Sequence, residues 1–315
     1  MKYLVSFDGY QGNWYVGELY KKFFETLSSE FSCEYVHMSD LANQYNEPTN
    51  YNQNLPSLFN IYNLIVQDKD TKKTFVHSLH DYAVVMLEHH SAIDKLNVVS
   101  FSCSSNLTKE TFEKNKTKLK IIPSFYILEH WSDIDLIQKI KSMKYDRKDR
   151  AYFNGLCYGF RGQYYNIFKN SNIIDFKNKN DSNEYQPKHE YYESIKKYKY
   201  GLSLNGAAKI CYRDLEYFAL RTLNLREPLD IITRDPLKQD VHYKVVIDAD
   251  IQSKIYDQTQ FDYIKEKVKN KIIDIDNSGE TEYILNESEK WFNNNCLPDK
   301  QISLLKQFIK ESEIS

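Results

Sequence analysis

The feature that most constrains this chain is a regular alternation of short apolar runs with longer stretches of helical periodicity. In the first half the runs are KYLVSF (2–7), NLIVQD (63–68), TFVHSLHD (74–81), NVVSFS (97–102) and KIIPSFYI (120–127). Residues 14–31, after the first run, place apolar side chains at helical spacing. This alternation is typical of parallel strands joined by helical crossovers. The sequence therefore predicts an α/β fold with Rossmann-like layers.

The alternation restarts after a charged stretch at residues 132–150, and this break predicts two domains. The predicted strands of the second half lie at 151–159, 172–176, 200–204, 228–233 and 242–248. From about residue 257 the pattern is helical and amphipathic to the C-terminus. We expect two Rossmann-like domains facing across a cleft, an N-terminal domain at 1–135 and a C-terminal domain at 136–315 that carries the C-terminal helices.

Composition and charge exclude several classes of protein. Hydrophobic residues make up 41% of the chain and charged residues 27%, and no apolar run approaches the roughly 20 residues of a membrane span. Asp8 directly follows the first apolar run and no small-residue cleavage site is visible, so we expect no signal peptide and a cytoplasmic protein, in host cytoplasm if the source is viral. The net charge of -2 gives no global attraction to nucleic acid, although residues 115–120 and 139–150 are local basic runs.

Two strand-to-helix turns share one arrangement, an Asn-Gly pair after the strand and an arginine at the head of the next helix. The residues are Asn154, Gly155 and Arg161 in the first turn and Asn205, Gly206 and Arg213 in the second. Free N–H groups at a helix N-terminus and a guanidinium both favour phosphate, so two such turns suit a diphosphate. Glu216, one turn further on, can accept hydrogen bonds from sugar hydroxyls. A surface arginine at an ordinary turn is the alternative.

Other phosphate-binding patterns are absent. The chain has no Gly-x4-Gly-Lys-Ser/Thr loop and no three-glycine dinucleotide fingerprint, which disfavours an ATPase or a dehydrogenase.

The order of these motifs resembles that of the protein O-glucosyltransferase family, also called capsule-associated-protein or LPS-glycosyltransferase-like. The motifs are HSLHDY (77–82), VVSFS (98–102), IIPSF (121–125), AYFNG-x-x-x-G-x-R (151–161), KYKYGLSLNGAAKICYRDLEYFAL (197–220) and HYKVV (242–246). The resemblance spans residues 74–250. It implies a GT-B glycosyltransferase, UDP-sugar dependent, inverting and metal-independent, with an N-terminal acceptor domain and a C-terminal donor domain.

The resemblance also implies roles for individual residues on the donor side. Arg161 and Arg213 would hold the donor diphosphate, Gly155 and Gly206 would allow its close approach, and His242 would lie beside it. Two positions depart from the family pattern: Asn154 stands where the family commonly has Arg, and Asn205 where it often has Asp.

On the acceptor side the resemblance implies that Asp81, at the end of its strand, is the base that deprotonates the acceptor hydroxyl. Asp8, which also ends a strand at a Gly turn, is the rival candidate. Trp14 and Tyr15 could stack on an acceptor, or simply form a half-buried helix start. The histidines at 77, 80, 89 and 90 lack the carboxylate spacing of a metal site, so we expect no metal and no cofactor beyond the UDP-sugar co-substrate.

Three functions stay open at this stage. The first is a glycosyltransferase acting on a glycan acceptor. The second is a DNA glycosyltransferase acting on a hydroxylated base of viral DNA, for which the basic runs 115–120 and 139–150 would contact the backbone. The third is a non-catalytic module that binds nucleotide or glycan. Asn154 and Asn205 support this alternative because they depart from the family pattern. The sugar and the oligomeric state are not specified by the sequence.

Overall fold

The computed structural model describes residues 3–7, 17–37, 40, 64–78, 98–101, 107–115, 120–123, 133–179, 186–206 and 209–311. The chain divides into two compact units. The first comprises Met1–Trp131, Asp230–Pro236 and Asn295–Ser315, and the second Ser132–Leu229 and Leu237–Asn294.

Both units are mixed α/β. In chain order the elements are β1 (Tyr3–Ser6), α1 (Gly17–Glu30), β2 (Cys33–Tyr35), β3 (Leu64–Asp68), β4 (Thr74–Ser78), β5 (Val98–Phe101), α2 (Lys109–Asn115), β6 (Lys120–Pro123), α3 (Asp133–Ser142), β7 (Lys148–Gly155), α4 (Phe160–Phe168), β8 (Ile174–Asn178), α5 (Lys188–Lys196), β9 (Tyr198–Ser203), α6 (Tyr212–Ala219), β10 (Leu223–Arg226), β11 (Lys244–Val245), α7 (Ala249–Lys254), α8 (Phe261–Ser278), α9 (Thr281–Asn295) and α10 (Pro298–Glu311).

The first unit contains a mixed sheet with the strand order β2-β1-β3-β4-β5-β6. The pairs β1–β2, β4–β5 and β5–β6 are parallel, but β3 runs antiparallel to both β1 and β4. A tight turn makes this possible: the Asp68 carboxylate accepts hydrogen bonds from the backbone N–H groups of Asp70 and Thr71, and Lys72 takes a left-handed φ of 60°. The expectation of a purely parallel layer is therefore wrong for this unit.

The core of the first unit lies between its sheet and two helices. Buried side chains from β1, β3 and β4 pack with Phe23 and Leu27 of α1 and with Leu305 of α10. Helix α10 contacts α1 directly, and Lys306 pairs with Glu30 across them. Residues 295–315 thus belong to the first unit, whereas the sequence pattern places them in the C-terminal domain.

The second unit is built on an all-parallel sheet with the strand order β11-β10-β9-β7-β8. Strand β10 was not predicted. The predicted strand at 228–233 is irregular, and its Ile232 N–H donates to Leu107 O within the first unit. Burial of the apolar faces of the strands against α4 and α8 gives a continuous core that includes Phe153, Leu202 and Val268.

No helix in the described part of the chain is both long and apolar enough to cross a membrane.

Candidate functional site

The topology of the second sheet sets the place of the candidate site. Numbered within this unit, the strands lie in the order 2-1-3-4-5, so the chain leaves β7 towards one side of the sheet and leaves β9 towards the other. The loops that follow β7 and β9 diverge at the carboxyl ends of these strands. In open α/β sheets ligands bind at such a switch point. Both predicted turns lie here. We call the two turns, with Arg161 and Arg213, the switch edge.

The two arginines cross between the turns. Arg161, which follows β7, donates from Nε to Asn205 O (3.1 Å) and from Nη2 to Leu204 O (2.9 Å) at the end of β9. Arg213, which follows β9, donates from Nη2 to Asn154 O (2.7 Å) at the end of β7. The arginine that follows each strand therefore donates to backbone carbonyls at the end of the other strand of the pair. This exchange ties the two strand ends together.

The glycines of the turns make room for these guanidinium groups. A Cβ on Gly155 would lie 2.3 Å from Arg213 Nη2, and a Cβ on Gly206 would lie 2.5 Å from Arg161 Nη2. Any other residue at either position would displace the arginine. The space that Gly155 and Gly206 provide holds the two guanidinium groups, and the role of these glycines in the approach of a donor stays a prediction.

Arg213 is left with unused hydrogen-bonding capacity. Its guanidinium stacks on the Phe153 ring at 4.4 Å, and its Nε and Nη1 are shielded from solvent. Neither nitrogen has a hydrogen-bond partner among the residues that the structure describes. Burial acts to lower the pKa of Arg213, but the Coulomb effect of Tyr191, Tyr217 and Glu216, among others, raises it overall, so the side chain stays charged. Buried polar groups in native proteins are nearly always paired, so these two nitrogens, unpaired within the described residues, are suited to a bound acceptor.

Arg161 lies close to the same point. Its Nη2 also contacts Cys211 Sγ at 3.1 Å, at the residue that caps α6 just before Arg213. Burial raises the pKa of the Cys211 thiol, as does Asp214, while Arg161, Arg213 and Arg226 lower it. Three guanidinium groups therefore act on this one thiol.

A buried ion pair holds the second turn in place. Asp214 and Arg226 are both about 1% exposed, and Arg226 Nη1 donates to Asp214 Oδ1 at 2.6 Å. The other carboxylate oxygen accepts from Cys211 N, and Arg226 Nη2 donates to Lys209 O (2.6 Å) and Asn205 Oδ1 (3.3 Å). Arg226 was not among the predicted site residues, because it ends the strand that the pattern analysis missed.

Two buried carboxylates complete the switch edge. Glu216 accepts a hydrogen bond from Tyr191 Oη at 2.7 Å, and burial followed by the charge of Glu216 raises the pKa of that tyrosine well above its usual value. Glu227, which the sequence analysis did not select, accepts from Asn205 N (2.8 Å) and from Tyr164 Oη (3.2 Å). It directly follows β10, and because that strand was not predicted, no signal in the sequence pointed to it.

Both asparagines of the turns have partners within the unit. Asn154 donates from Nδ2 to Gln186 Oε1 (2.9 Å) and to Tyr152 Oη (3.2 Å). The side-chain oxygen of Asn205 accepts from Arg226. The structure thus brings six predicted residues together at one edge: Asn154, Gly155, Arg161, Asn205, Gly206 and Arg213. Glu216 lies one helical turn beyond them.

His242 lies elsewhere. It precedes β11, whose Lys244 pairs with Leu225 near the carboxyl end of β10, so His242 stands at the amino end of the sheet. Its Nδ1 accepts from Lys238 N at 2.9 Å and its ring lies 6.1 Å from that of Trp291. This position argues against the predicted role of His242 in donor binding.

Several predicted residues lie outside the described part of the chain. These are Asp8, Asp81, Trp14 and Tyr15, so their roles stay predictions. Of the basic run 139–150, Lys141 contacts Glu289 and Arg147 donates to Arg221 O, so two of its cations are turned towards the protein. Within the described residues no group of three or more His, Cys, Asp or Glu side chains could hold a metal ion.

Comparisons with known proteins gave structural neighbours only. No family model matches the chain, and no curated protein matches it. Among solved structures, the pneumococcal O-GlcNAc transferase GtfA in complex with UDP and GlcNAc is 9% identical, with a TM-score of 0.36. The GtfA/B complex is 10% identical, with a TM-score of 0.35. Each match covers 83% of this chain, which spans 66% of the other chain.

Proposed function

We propose that this protein is a glycosyltransferase that moves a sugar from a nucleotide diphosphate donor, a UDP-sugar, to an acceptor hydroxyl on a glycan. The observation that carries the proposal is the charged, buried Arg213 at the switch point, with Nε and Nη1 unpaired in the described part of the chain. A diphosphate supplies the acceptor oxygens that this guanidinium lacks. Arg161, whose Nη1 has no hydrogen bond to a described residue, adds a second cation on the same edge.

The chemistry that follows is transfer with a diphosphate leaving group. Negative charge develops on the diphosphate as its bond to the sugar breaks, and fixed cations at that place stabilise the transition state. Glu216, one helical turn into α6, would orient the donor through its hydroxyl groups, and Glu227 accepts a hydrogen bond from Asn205 N and so holds that turn in shape. A GT-B arrangement, inversion of configuration and Asp81 as the base are parts of the same proposal, with Asp8 as the alternative base.

The proposal is tested with purified protein and a panel of UDP-sugars, in which transfer to glycan acceptors and donor hydrolysis are measured together. Arg213→Met should lose at least tenfold in kcat/KM, whereas Arg150→Met, on the exposed start of β7, should behave as wild type. Asp81→Asn should abolish transfer and leave UDP binding intact. No turnover with any donor, together with no UDP binding, overturns the proposal.

The non-catalytic alternative has one specific observation in its favour. Nε and Nη2 of Arg161 and the side-chain oxygen of Asn205 are taken up by protein partners, which leaves fewer groups for a transition state. The same panel separates the two functions, because a binding module would bind UDP, lose that binding in Arg213→Met and turn over no donor.

A further inference from the structure

Four cationic side chains converge at the amino end of the second sheet, at the opposite end of α6 from Arg213. We call them the cation cluster: Lys141 at the end of α3, Arg147 before β7, Lys196 at the end of α5 and Arg221 after α6. Arg147 Nη1 donates to Arg221 O at 2.8 Å, and Lys196 Nζ donates to Leu220 O at 3.2 Å. An eight-residue helix is about 12 Å long, so the cluster and the switch edge are separate places.

Negative charge facing the cluster is scarce. Glu289 contacts both Lys141 and Arg221 and is largely buried. Glu282 contacts Arg221 Nη2 at 3.0 Å, but its side chain is 76% exposed, so solvent screens part of its charge. Four cations therefore face two carboxylates, and Glu289 is the more shielded of the two.

The pKa shifts within the cluster are consistent with this excess of positive charge. Burial and then the charges of Arg147, Arg221 and Lys141 lower the pKa of Lys196 to about 8, although Glu289 opposes them. Burial and Arg221 also lower the pKa of Arg147. The hydrogen bond to Leu220 O uses one of the three N–H groups of Lys196, so donors remain for a further acceptor.

Capping of α6 explains only part of the cluster. Arg221, with φ of 54°, is the left-handed residue that ends this helix, and cations near the last carbonyls are favourable. The C-terminal end of a helix corresponds to about half a negative charge, which one cation offsets. The remaining charge excess is not needed for the cap.

We propose that the cation cluster is a second anion-binding site, specific for a small oligophosphate. An oligophosphate carries several negative charges and accepts hydrogen bonds from guanidinium and ammonium groups alike, as this set of two arginines and two lysines requires. A ligand with a single carboxylate would leave most of the excess positive charge of the cation cluster unpaired. The inference does not depend on the function proposed for the switch edge.

The test is isothermal titration with tripolyphosphate at pH 7, in the Arg213→Met background so that the contribution of the switch edge is reduced and is the same in every variant. Lys141→Gln combined with Arg147→Gln should weaken binding at least tenfold. Lys265→Gln, which removes a partly exposed lysine paired with Asp262 on α8, is the matched control and should leave binding unchanged.

Misfolding of a variant could also weaken tripolyphosphate binding, so the test includes a variant that is expected to bind more tightly. Glu282→Gln removes a carboxylate that competes for Arg221, so tripolyphosphate should bind two- to fivefold more tightly. Glu280→Gln, whose partner is Lys244 outside the cluster, should not change binding. No binding of tripolyphosphate at millimolar concentration, or binding that none of the cluster variants alters, overturns the proposal. Binding of duplex DNA in place of tripolyphosphate also overturns it.

Discussion

Replacing Gly155 by alanine tests the crossing of the two arginines. The new Cβ would lie 2.3 Å from Arg213 Nη2 and 3.3 Å from its Cζ, so the guanidinium must move. Movement breaks the 2.7 Å hydrogen bond to Asn154 O and disturbs the stacking on Phe153. A hydrogen bond from a charged donor contributes about 1.5–3 kcal/mol and overpacking costs about 1–3 kcal/mol, and the two effects overlap. We expect the free energy of unfolding to fall by about 2–3 kcal/mol.

The assay is chemical unfolding of Gly155→Ala followed by circular dichroism, together with UDP titration. Gly162→Ala is the matched control, since it lies in α4 with 3.7 Å to the nearest atom and alanine favours a helix by about 1 kcal/mol over glycine. The control should be as stable as wild type or more so, and Gly155→Ala should lose both stability and UDP affinity. A Gly155→Ala protein with wild-type stability and affinity would show that Arg213 does not occupy this space.

Three further predictions concern the second unit. Gly201→Ala should cost at least about 3 kcal/mol, because its Cβ would lie 2.4 Å from the ring of the fully buried Tyr217, and a thermal melt without a drop would contradict that packing. Arg226→Met should cost about 3–5 kcal/mol by leaving the buried Asp214 carboxylate without a cation, measured by denaturant unfolding; a loss below 1 kcal/mol would contradict it. Lys196→Met should raise stability by about 1–2 kcal/mol at pH 7, where lysine is protonated in both folded and unfolded chains. The gain should shrink between pH 8 and 10.5, because only the unfolded chain then holds the proton; a gain independent of pH would contradict the lowered pKa of Lys196.

The sequence predicted much of the second unit because its apolar strands and turns are locally encoded. Strands β7 and β9, the turns after them and the helices headed by Arg161 and Arg213 all lie where the pattern places them. Strand β10 was missed because Asn224 and Arg226 are polar residues that are nonetheless fully buried. Their partner Asp214 comes from α6, and a pattern analysis of one segment cannot include it.

The roles of the glycines show the same limit. The sequence indicates that Gly155 and Gly206 make space, but the occupant of that space depends on how β7 and β9 pair. The apolar run at 228–233 resembles a strand by composition, yet the structure shows no strand there, and the Ile232 N–H donates to Leu107 O within the first unit. In the sequence His242 stands between an apparent loop and a predicted strand. Only the register of β11 against β10 reveals that it lies at the amino end of the sheet.

The central claim, that Arg213 at the switch point holds the diphosphate of a nucleotide-sugar donor, is tested most directly by calorimetric titration of wild type, Arg213→Met and Arg150→Met with UDP. We expect wild type and Arg150→Met to bind UDP equally and Arg213→Met to bind it at least tenfold more weakly, with its fold intact by circular dichroism. Equal UDP affinity in wild type and Arg213→Met, or no UDP binding by wild type, would contradict the claim.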